Sequence, residues 1–73
     1  MSVIMLAKEI SDFFLKYDML GGATWQETYE ATLRALTEKD YIGISIMIDY
    51  FAPLQSKNFM AKMIYKCLLE YCD

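Results

Sequence analysis

The 73-residue chain contains no histidine, one arginine, one proline, three glycines and two cysteines. Each scarcity excludes something. Without histidine, the commonest general base near neutral pH and the commonest metal ligand are both missing. A nucleophile would need a lysine, tyrosine or carboxylate to activate it, and no spacing in the sequence brings such a pair together. No Cys/His pattern suits zinc, and the acidic residues lack the order of a calcium loop. Gly21-Gly22 is followed by Ala23-Thr24-Trp25, with no lysine where a phosphate-binding loop would need one. The sequence therefore reads as a non-enzyme with no cofactor, no metal and no small-molecule substrate.

Cys67 and Cys72 stand five apart in a helical segment, where their side chains diverge by about 140° and do not readily pair. Two free thiols fit a reducing, cytoplasmic setting. Residues 1–7 are apolar, but Lys8, Glu9 and Asp12 interrupt the run early, unlike a secretory signal. The longest nearly uncharged stretch, 41–52, contains Asp49 and falls well short of the ~20 residues of a spanning helix, so no membrane partner is expected.

What the chain does have is apolar bulk. Its hydrophobic content is 56%, with six methionines, six tyrosines, four phenylalanines and one tryptophan. That exceeds the ~45–50% usual for globular domains and excludes intrinsic disorder. The length holds one core, so a single domain over 1–73 is expected. Breaks fall at Gly21-Gly22, at Glu38-Lys39-Asp40 and around Pro53, dividing the chain into four segments. Each reads as a helix, over 2–20, 24–38, 41–52 and 56–72, giving an all-α bundle with short connections.

In the first segment Val3, Leu6, Ile10, Phe13, Tyr17 and Leu20 recur at alternating spacings of three and four, with Ser2 as N-cap and Gly21 as the stop. Lys8, Asp12 and Lys16 form a charged ladder on its far side. The second opens on Thr24-Trp25-Gln26-Glu27, a capping-box pattern, and spaces Glu30 and Arg34 for an ion pair. The third supports two readings. Ile42, Ile44, Ile46 and Ile48 alternate as in a strand, which would make 41–49 a ribbon shared between two chains. Tyr41, Ile44, Met47, Ile48 and Phe51 also fall at helical spacing, with Asp40 as N-cap, and this helix is expected to be the central, most buried one. The fourth starts at Ser56 and turns Met60, Ile64, Cys67, Leu68 and Tyr71 inward, flanked by Phe59 and Met63.

Net charge −3 and a pI of about 4.7 argue against a sequence-independent grip on nucleic acid. A helix-turn-helix-like DNA-binding regulator using Lys57, Asn58, Lys62 and Lys66 of the fourth segment is the alternative reading. The acidic residues Glu27, Glu30, Glu38, Asp40 and Asp49 read as a solvated face more than as a nucleic-acid mimic. The surplus of aromatic and methionine side chains points to an interaction surface. The partner is expected to be another protein or a second copy, as a homodimer. Lys62, Tyr65, Lys66 and Leu69 make one candidate face; Trp25, Glu27 and Glu30 make the other. The expected role is a small intracellular inhibitor or adaptor, of the kind phages and mobile elements encode, acting by steric blockage.

Overall fold

In a computed structural model that describes residues 2–72, all four apolar segments are helical: α1 (Val3–Lys16), α2 (Trp25–Glu38), α3 (Tyr41–Phe51) and α4 (Phe59–Tyr71). Met1 and Asp73 of the expected single domain lie outside the described residues. No strand occurs among the described residues, so the ribbon reading of 41–49 is overturned. The Asp40 carboxylate caps α3 by accepting from the Gly43 amide at 3.1 Å, and Pro53 then ends the helix in a 3-10 turn over Ala52–Leu54.

Side-chain caps also start the other helices. Ser2 accepts from the Met5 amide. Thr24 and Glu27 exchange backbone and side-chain bonds in the expected capping box. Asn58, rather than Ser56, caps α4, its Oδ1 accepting from the amides of Met60 and Ala61. Residues 54–58 are held in a tight turn by the Lys57 and Asn58 amides, both donating to the Leu54 carbonyl. Asn58 is favoured because it works twice: its Nδ2 also donates to the Tyr17 hydroxyl, tying the start of α4 to the end of α1.

Two helices end in the left-handed region on residues other than glycine. α1 stops at Lys16 rather than at 20, because Asp18 takes φ +55°. The amides of Met19 and Asp18 then donate back to the carbonyls of Phe14 and Leu15. Gly21 does not stop the helix; with Gly22, at φ +61° and +91°, it makes the following turn, closed by the Ala23 amide on the Leu20 carbonyl. α2 ends the same way at Lys39, φ +52°, where the Asp40 amide donates to the Ala35 carbonyl at 2.9 Å.

The core is centred on α1, not on α3. Leu6, Ala7, Ile10, Ser11, Phe13 and Phe14 of α1 are buried, against only Ile44, Met47 and Phe51 of α3. Tyr41, Ile42, Ile46 and Tyr50 of α3 stay exposed. α1 runs beside α2 and meets α4, and α3 inserts Phe51 between Phe13 and Phe14, with ring centroids 4.9 and 5.5 Å away. Tyr17 and Tyr50 extend this aromatic cluster, at 4.5 Å from Phe13 and 5.3 Å from Phe14. Leu36, Ile64 and Leu68 complete the core from α2 and α4. The buried Ser11 hydroxyl donates to the Ala7 carbonyl, and among the described residues no buried side-chain nitrogen or oxygen lacks a partner. A Cα radius of gyration of 11.0 Å matches the ~11 Å expected of a closely packed chain of this length, so no helix stands away from the rest.

Lys39 holds a backbone conformation that costs a side-chain-bearing residue about 1 kcal/mol. Lys39→Gly is expected to raise unfolding free energy by up to about 1 kcal/mol, read as a higher urea midpoint at unchanged slope. Lys39→Val is expected to lower it.

Candidate functional site

Packing around Ala61 decides what α4 shows to solvent. Ala61, Ile64 and Leu68 are fully buried, and Tyr65, Cys67, Tyr71 and Cys72 pack against the core. Ala61, Ile64, Tyr65 and Leu68 are spaced at three, four and seven, one helical stripe. Relative to the expected face, α4 is turned by roughly half the 100° step between neighbouring residues. An alanine at the contact lets the helix approach closely, which Met60 or Met63 in its place would prevent.

That rotation changes two assignments. Tyr65 leaves the outer face and packs on the core, and Met60, Met63 and Phe59 leave the inner one. Phe59 is 74% exposed, and Leu69 remains outside at 43%. Lys62 and Lys66 are exposed between them. On the outer face of α4, Phe59, Lys62, Lys66 and Leu69 therefore follow one another at spacings of three, four and three, with Met63 four from Phe59 and three from Lys66. The candidate residues Lys62, Lys66 and Leu69 stay together on it, and Phe59 and Met63 join them.

The other candidate face is occupied with local structure. Trp25 is half-buried, stacked on Tyr29 with centroids 5.2 Å apart, and its Nε1–H donates to Asp12 Oδ1 at 2.8 Å. Asp12, expected in a charged ladder with Lys8 and Lys16, therefore serves the α1–α2 contact. Glu30 accepts from Gln26 Nε2 at 3.1 Å, so the bond seen on it comes from the preceding turn and not from Arg34. Glu27 accepts the Thr24 amide at 3.0 Å within the capping box.

The sequence reasoning missed a second apolar surface. Ile42, Ile46 and Tyr50 stand four apart on the outside of α3, with Ile42 77% exposed. Their signal is the i, i+4, i+8 spacing, which the competing alternation of isoleucines obscured. Beside them a groove of about 270 Å³ opens between α2 and α3, lined by Ala31, Thr32 and Ala35 on one side and Gly43, Ile46 and Met47 on the other. The helices cross closely at Gly43: a Cβ there would lie 3.4 Å from the Ala35 methyl and 3.1 Å from the Asp40 carboxylate.

Among the described residues, no three His, Cys, Asp or Glu side chains cluster as a metal site, and no helix is long and apolar enough to cross a membrane. Cys67 and Cys72 are free and half-buried. Cys67 lines a cavity of about 220 Å³ with Leu6, Lys39, Glu70 and Tyr71.

Hydrogen bonds from the Thr24 backbone amide and then its hydroxyl hold the Glu27 carboxyl below its ordinary pKa. Folding therefore gains from Glu27 above the ordinary glutamate value and loses that gain as pH falls through the lowered folded value. Glu27→Gln is expected to flatten the acid limb of a stability–pH curve from chemical denaturation. An acid limb identical to that of the parent chain would contradict this. Compared with known proteins, the chain matches no family model, no curated protein and no solved structure.

Proposed function

We propose that this chain is a non-enzymatic interaction protein, a small cytoplasmic inhibitor or adaptor that works by covering a surface on a larger protein. The observation that carries the reading is the outer face of α4, where Phe59, Met63 and Leu69 lie exposed around Lys62 and Lys66. Exposed apolar groups gathered on one face, with charge among them, have the make-up of a docking surface. Aromatic and methionine side chains would supply the affinity, and the lysines would steer encounter. A compact, acidic chain of this size suits the steric blockers that phages and mobile elements use against host complexes.

The DNA-binding reading is weaker on this geometry. Asn58, the α4 residue best suited to read a base edge, spends its amide on the α4 cap and on Tyr17. That leaves lysines to touch phosphate on a chain of net charge −3.

Leu69→Asp tests the proposal, since an exposed substitution alters stability by no more than about 0.5 kcal/mol. Helicity and melting are expected to hold while binding to the partner recovered from native cells weakens by more than about 1 kcal/mol. Phe59→Asp is expected to do the same. Partner binding unchanged in both variants would remove α4 as the docking face, and salt-dependent binding to duplex DNA lost in Lys62→Glu/Lys66→Glu would favour the regulator.

A further inference from the structure

Two sticky surfaces lie on different helices and carry opposite charge. The α2–α3 groove is apolar and walled by small residues, Ala31, Ala35 and Gly43. Its surroundings lean acidic: Asp40 lines it, Asp49 follows Ile46 by one turn and Glu38 follows Ala35 by one turn, against Arg34 and the Lys39 that precedes Asp40. The outer face of α4 leans the other way, with Lys62 and Lys66 beside Phe59 and Met63 and Lys57 just before the helix, against Glu70 one turn beyond Lys66.

From this complementarity we infer that the α2–α3 groove of one copy receives the outer face of α4 of a second copy, with Phe59 as the anchor. Pairing like with like works against itself. Groove on groove brings Glu38, Asp40 and Asp49 of both copies together, and α4 on α4 does the same with the lysines. Groove on α4 sets carboxylates opposite ammonium groups and gives the most exposed aromatic side chain an apolar slot. The contact is heterologous: each copy uses one surface to give and another to receive, so the assembly either closes as a ring or extends. It rests on the reading that α4's outer face docks protein, and it makes self-association compete with that docking.

Sedimentation of the full chain at rising concentration tests it with two variants, each placed on an exposed residue. Ile46→Lys blocks the groove and leaves α4 intact; Phe59→Asp blocks α4 and leaves the groove intact. The parent chain is expected to exceed its 8.5 kDa mass at high micromolar concentration in low salt, and to fall back as salt screens the contact. Each variant alone is expected to be monomeric, with self-affinity weakened at least about tenfold. Mixed one to one, they are expected to form a dimer of twice the protomer mass, because one intact groove meets one intact α4. Circular dichroism checks that both variants remain helical. A parent chain that stays monomeric overturns the inference, while the docking role of α4 is still decided by Leu69→Asp. Self-association of either variant alone, or a mixture that stays monomeric, also overturns it, by showing a like-with-like contact or none between these faces.

Discussion

Phe51 is the contact on which the arrangement of helices depends. It is the last residue of α3, fully buried, and it sits between two consecutive phenylalanines of α1. Consecutive residues on a helix point about 100° apart, so Phe13 and Phe14 form a fork open on one side. A ring placed in that fork fixes α3 in position and in rotation. Removing such a ring from a core typically costs about 3–5 kcal/mol, a large share of what a domain this small has to spend. With Phe51 inward, Ile44 and Met47 must follow it and Ile42, Ile46 and Tyr50 must face out. The exposed stripe on α3 is thus a geometric result of the aromatic fork.

The outer face of α4 has a similar origin. Tyr17, one turn beyond Phe13, packs against it with tilted rings and accepts the hydrogen bond from Asn58. The start of α4 is thereby fixed to the end of α1, and the fully buried Ala61 sets which side of α4 faces the core. What the helix then leaves outside follows from its register. Both apolar surfaces are by-products of tight contacts elsewhere, which is how a small core comes to expose large side chains.

How much of this was legible in the sequence depends on how local the cause is. Ser2, the Thr24–Glu27 box and Asp40 act within one turn of backbone, and all three were read correctly. The all-α class was legible for the same reason, because four apolar stripes with caps leave few alternatives. Helix ends on Asp18 and Lys39 were harder, since neither residue announces a left-handed conformation as glycine does. The rotation of α4 was not legible at all. An inward alanine carries little hydrophobic signal, whereas Met60, Met63 and Phe59 carry a great deal, so a search for apolar stripes follows the wrong residues. The Trp25–Asp12 hydrogen bond was equally hidden, because the two residues stand thirteen apart and no local pattern pairs an indole N–H with that carboxylate.

Asp40 takes part in two helices at once. Its amide closes the end of α2 on the Ala35 carbonyl, and its carboxylate opens α3 on the Gly43 amide. With only Lys39 and Asp40 between the two helices, neither end can fray without disturbing the other. The end of α2 and the start of α3 are therefore set by one residue, although α2 packs mainly along α1 and α3 mainly along α4. The groove between them inherits that property. It is a slot whose two walls meet at Asp40, so a change at that one residue reaches both walls at once.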